Sequence, residues 1–79
     1  MFLLKFVMLT SKGCGRCALD KRKLDSLGIL SIIDIQDAVS NPLLVESGFR
    51  SVPIYLVQND AGEVVFKTQN LKEFLEWML

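Results

Sequence analysis

Apolar residues fall along this 79-residue chain in short blocks divided by turn residues, and the spacing inside each block assigns its element. Phe2 to Thr10 is almost continuously apolar and runs into the polar stretch TSKG, which suits a buried strand. From about Cys14 to Leu27 the pattern turns helical. Cys17, Leu24 and Leu27 fall on one face, Lys21, Arg22 and Lys23 lie largely outside it, and Gly28 stands where a helix stops. The stretch LSIIDIQ, Leu30 to Gln36, is rich in branched aliphatics and reads as a second strand. In SNPLLVESG, Asn41 suits an N-cap, Pro42 the first helical position and Gly48 the stop of a short helix. Val52 to Gln58 reads as a third strand opened by a proline. NDAG, Asn59 to Gly62, is a turn, and Glu63 to Lys67 completes a hairpin. Leu71, Phe74, Leu75 and Met78 repeat at helical spacing in a final amphipathic helix, with Asn70 and Glu73 placed as a capping box.

The order is β-α-β-α-β-β-α, which predicts one α/β domain over residues 1–79. The first two strands should be parallel through a right-handed crossover, and the last two antiparallel through a tight turn. The resulting four-stranded mixed sheet carries helices on both faces. A chain of this length buries only about 60% of its unfolded surface, so the core has to be compact. An apolar content of 51% supplies it and excludes disorder.

Formal charge is zero, which gives no bulk attraction to nucleic acid or to a membrane surface. The charge is nonetheless uneven. Residues 1–27 carry six basic and two acidic side chains, and the remainder three and seven. The positive excess gathers around the two cysteines. The opening MFLLKFVMLT lacks a basic n-region and a small-residue cleavage site, and Lys5 interrupts it, so it does not read as a signal peptide. No segment approaches the roughly 20 apolar residues of a membrane span. The expectation is a cytoplasmic monomer without nucleic-acid or membrane partners.

Cysteines in a reducing compartment are reactive or metal-binding more often than structural. Cys14 and Cys17 stand at the junction of the first strand and the helix that follows. Unpaired N–H groups and the helix dipole favour an anion there, and thiols so placed have pKa values drawn from ~8.5 down to ~3.5–7.5. Lys12 and Arg16 flank the site and push the same way. Cys14, at the tip, is the expected nucleophile. Cys17, one turn inside and more buried, is the expected resolving thiol.

The motif CGRC after a strand, followed much later by GFRSVP, resembles the thioredoxin and glutaredoxin superfamily. The resemblance implies a thioredoxin-like fold and a dithiol–disulfide oxidoreductase that acts in electron transport. It implies a cis bond before Pro53, facing the dithiol, and a Val52 backbone that pairs with an extended substrate or with glutathione. Gly13 and Arg16 occupy positions where thioredoxins carry Trp and Pro. Met8 stands where they carry a buried Asp, and KTQN where glutathione-using glutaredoxins carry a Gly-Gly pair. Small size and SGFRSVP are similar to the glutaredoxin-like redoxins that serve ribonucleotide reductase. By that likeness the substrate is a disulfide-bearing protein, the electron donor is thioredoxin reductase or glutathione, and no dissociable cofactor is needed.

Other readings of the same residues exist. The two cysteines could be small hydrophobes packed in a core. They could also be half of a zinc or iron–sulfur site shared by a dimer, since structural zinc wants four ligands and the chain has two thiols and no histidine. The run Lys21–Lys23 reads first as the solvated side of a helix and second as a surface for an acidic partner. Trp77 reads as core or rim, and Pro53 on its own as an ordinary strand-opening proline. Without histidine or a phosphate-binding glycine loop, hydrolytic and phosphoryl-transfer chemistry lack their usual residues.

Overall fold

The computed structural model describes residues 4–78. The chain runs β1 (Lys5–Thr10), α1 (Gly15–Ser26), a 3₁₀ turn (Leu30–Ile32), β2 (Ile33–Asp37), α2 (Pro42–Ser47), β3 (Ile54–Gln58), β4 (Val64–Thr68) and α3 (Leu71–Met78). The strands form one mixed sheet in the order β2-β1-β3-β4. β1 pairs parallel with β2 and antiparallel with β3, and β3 pairs antiparallel with β4. Among the described residues no helix is long and apolar enough to cross a membrane. The Phe2–Leu3 part of the expected first strand lies outside the described residues.

Alternation along the two central strands feeds two apolar clusters, one on each face. Met8 of β1 with Tyr55 and Val57 of β3 meets Cys17 and Leu24 of α1 and Leu71 and Phe74 of α3. Val7 and Leu9 with Ile54 and Leu56 point the other way, against Leu43 and Leu44 of α2 and against Phe49. The helices therefore cover both faces, α1 and α3 on one and α2 on the other. Central strands buried on both sides explain why β1 and β3 read as unbroken apolar runs rather than alternating ones.

Helix ends follow the residues that punctuate them. α1 closes with a Schellman pair: the Ile29 N–H donates to the Leu24 carbonyl at 3.1 Å and the Gly28 N–H to the Asp25 carbonyl at 2.9 Å, with Gly28 at φ 75°. Asn41 caps α2 by accepting from the Leu43 N–H at 3.0 Å, and Gly48 ends it in the left-handed region.

Several boundaries differ from the pattern, among them β4, which runs Val64–Thr68 rather than Glu63–Lys67. Leu27, expected on the buried face of α1, is the C-cap and 52% exposed, because the backbone leaves the helix there. Leu30–Ile32 forms a 3₁₀ turn instead of the start of β2, since the Schellman exit must redirect the chain before it meets β1, and pairing begins only at Ile33 opposite Phe6. Val52 and Pro53 stand outside β3, as Pro53 has no N–H for the ladder and the Leu9–Ile54 pair is the first. The Asn70–Glu73 capping box is half made. Asn70 accepts from the Lys72 N–H, while its own N–H goes to the Thr68 hydroxyl and the Glu73 carboxylate accepts from that hydroxyl instead.

One polar tie crosses the larger cluster. The Tyr55 hydroxyl, on a fully buried ring stacked against Phe74, donates to the Asp20 carboxylate of α1. Burial first, then the Asp20 hydrogen bond and charge, push the Tyr55 phenol above its ordinary range. A raised folded-state value means that this contribution to stability is fully present below the unfolded tyrosine value of ~10 and is lost as pH rises through the higher folded one. Tyr55 is the only tyrosine, so a spectrophotometric titration reads it alone. The native protein should show no tyrosinate about one pH unit above the ordinary value, and the denatured chain should ionise normally; native ionisation near ~10 contradicts the tie. Leu24, fully buried between α1 and the sheet, should cost about 2–5 kcal/mol as Leu24→Ala, measured by urea unfolding.

Candidate functional site

β1 ends buried at Thr10, and residues 11–14 turn the chain from the sheet into α1. Gly13 makes the turn at φ 78°, a left-handed conformation that suits glycine and opposes a side chain. Cys14 is the N-cap of α1. Its backbone is extended, and its sulfur accepts from the Cys17 N–H at 3.1 Å. That is the role usually filled by a Ser, Thr or Asp oxygen, so the sulfur lies where the helix presents unpaired N–H groups and positive potential. Cys14 is half-exposed, whereas Cys17 is buried beside Met8 and Leu24. The two sulfurs are joined in a disulfide, with Cα atoms 5.2 Å apart.

Three recesses surround this disulfide. One, a groove of about 430 Å³, is lined by Lys12 and Cys14 together with Val39, Leu44, Arg50 and Val52. A second opens on both cysteines and is bordered by Lys21. A third, of about 130 Å³, lies between Arg16 and the segment Ser51–Pro53, with Gln69 at its edge. Cys14 and Lys12 thus share a groove with Val52, and Arg16 shares a crevice with Val52 and Pro53. Within the basic run, Lys21 borders the disulfide while Arg22 and Lys23 are exposed.

Residues 50–53 form the wall opposite Cys14. The Val52–Pro53 peptide is cis, and Pro53 is buried. Among the described residues the Val52 N–H and carbonyl make no hydrogen bond, because the ladder starts only at Ile54. Val52 itself is half-buried and lines the same groove as Cys14, so a residue with an unpaired peptide group borders the recess that holds the sulfur. The segment is held from behind. Gln69 Nε2 donates to the Ser51 carbonyl at 2.6 Å and to its hydroxyl at 3.1 Å.

Sequence reasoning did not find Arg50, Val39 or Gln69. Arg50 and Val39 belong to loops with no period, and the Gln69–Ser51 contact spans 18 positions. The signal available for Gln69 was its place in KTQN, which was read only for the glycines it lacks. Trp77 lies at the rim, 42% exposed and packed on Phe66 at 5.3 Å, on α3 and away from the groove. Among the described residues no three or more Cys, His, Asp or Glu side chains converge as a metal site, so a metal held here would take ligands from outside the chain.

No family profile matches the chain, and no curated protein sequence matches it. Among solved structures, the crystal structure of a designed protein is similar at 21% identity, with a TM-score of 0.60 over 95% of this chain and 75% of that one. At that identity the likeness concerns the fold alone, a small α/β architecture with a four-stranded mixed sheet and three helices.

Proposed function

We propose that this chain is a small dithiol–disulfide oxidoreductase with a thioredoxin-like fold. The observation that carries the reading is the Cys14 sulfur at the N-cap of α1, accepting from the Cys17 N–H at 3.1 Å. In the reduced protein the same N–H and helix terminus favour a thiolate at Cys14, with the Lys12 and Arg16 charges adding to that bias. Support also comes from the element order, the helices on both sheet faces, and an unpaired Val52 peptide group across the groove.

The Cys14 thiolate attacks one sulfur of a substrate disulfide. A Cys14–substrate S–S bond forms, the substrate S–S bond breaks, and the departing sulfur takes up a proton. The Cys17 thiol then loses its proton and attacks Cys14 Sγ, expelling the second substrate thiol. Two electrons have passed to the substrate, and the Cys14–Cys17 disulfide remains, the state the structure holds. Throughout, the Val52 N–H and carbonyl hold the extended substrate backbone by strand-like pairing, and Pro53 fixes that segment. A reductase of the thioredoxin-reductase kind, or glutathione, returns the two electrons, and no dissociable cofactor is required. By resemblance, ribonucleotide reductase is a substrate to try first, in a cytoplasmic setting with the redoxin as a monomer.

Cys14→Ser keeps a good N-cap, so the variant should fold and yet lose all reduction of a protein disulfide such as insulin. Retained turnover removes Cys14 from the nucleophile's role. Cys17→Ser should perform the first attack and stop there, accumulating a mixed disulfide visible by intact mass. If none forms with any disulfide offered, the dithiol reading fails and a monothiol or binding role takes its place.

A further inference from the structure

Resting on the oxidoreductase reading, we propose that the groove beside Cys14 selects a protein segment carrying a large apolar residue and a carboxylate next to its disulfide cysteine. The floor and outer wall of the groove are apolar. Ala38 is buried and Leu44 half-buried, while Val39 is 71% exposed. Branched side chains left in water beside a reactive sulfur gain free energy when a partner's apolar side chain covers them.

The charges at the rim set the second requirement. Lys12 and Arg50 line the groove from two different loops, and no acidic residue lines it. Among the described residues the one ion pair joins Lys5 to Asp34, so neither cation is neutralised within the fold. A segment with a carboxylate is drawn in by these two charges, and one with a cation is repelled. Apolar and charged features sit on the same side of Cys14 as the unpaired Val52 peptide group, so a chain paired with Val52 lays its neighbouring side chains against Val39 and its carboxylate toward Arg50. A volume of about 430 Å³ is in the range of sites that enclose a small ligand or a few residues of a peptide.

The test uses pre-reduced protein in single turnovers, so no external donor is involved. Two symmetric peptide disulfides with blocked termini are compared, one with leucine and glutamate flanking its cysteine and one with serine and lysine there. Hydroxyethyl disulfide and glutathione disulfide serve as references. Each rate is divided by that of the same disulfide with dithiothreitol, which removes differences in leaving-thiol reactivity. The leucine–glutamate peptide should react roughly tenfold faster than the serine–lysine peptide. Arg50→Gln and Val39→Ser, both at exposed positions, should each shrink that ratio by about threefold. Equal rates for the two peptides, with hydroxyethyl disulfide still reduced, overturn this inference and leave the oxidoreductase reading standing. A preference that survives both substitutions overturns the assignment to this groove. Glutathione disulfide reacting as fast as the leucine–glutamate peptide overturns the choice of a protein segment. Failure to reduce any of the four disulfides overturns the oxidoreductase reading and this inference with it.

Discussion

The hydrogen bond from the Cys17 N–H to the Cys14 sulfur joins the requirements of folding to those of chemistry. A helix that starts just past the end of a strand leaves N–H groups without partners, and some acceptor has to meet them. Here the acceptor is the Cys14 sulfur of the disulfide, and in the proposed redox cycle the interaction that caps the helix would also favour a thiolate once that bond is reduced. The two buried clusters keep the geometry fixed. α1 is pressed onto β1 and β3 through Cys17 and Leu24 and tied to β3 by Asp20 and Tyr55. The Cys17 sulfur is therefore part of the core, while the Cys14 sulfur is at its edge.

The opposite wall depends on a proline. With no N–H at Pro53 the β1–β3 ladder cannot extend past Leu9–Ile54, and the preceding peptide group is left unpaired next to Cys14. Gln69, reaching from the end of β4, holds Ser51 and so limits where Val52 can go. Positive charge collects at this end from three separate stretches, with Lys12, Arg16, Lys21 and Arg50 bordering the recesses. A chain of zero net charge thus presents a locally cationic site, a property that only the uneven distribution of charge along the sequence foreshadowed.

Much of this arrangement was legible from local signals. Gly28 and Gly48 mark helix ends, Asn41-Pro42 a start, and the Leu71–Met78 spacing a buried face, because each feature depends on residues within one or two turns of one another. The cysteine pair was legible for the same reason: a strand end, a glycine and a helix start are consecutive. What sequence could not supply was set by distance or by backbone geometry. The Asp20–Tyr55 tie spans 35 positions and obeys no period. Leu30–Ile32 has a strand's composition, yet the Schellman exit imposes a 3₁₀ turn. Leu27 keeps helical spacing after the helix has ended. Val39 reaches the site because β2 ends paired beside β1, with the Ala38 N–H donating to the Thr10 carbonyl, and Arg50 because the loop after α2 leads back to β3 beside β1.

The most direct measurement of the central claim is an equilibrium titration of the purified protein in dithiol buffers of graded potential, with free thiols counted by alkylation and intact mass. The account predicts one reversible two-electron transition between a form with two free thiols and a form with the Cys14–Cys17 disulfide. Thiols that never pair, or a mass that carries bound metal and resists alkylation, would contradict it and leave the cysteines as metal ligands or inert packing.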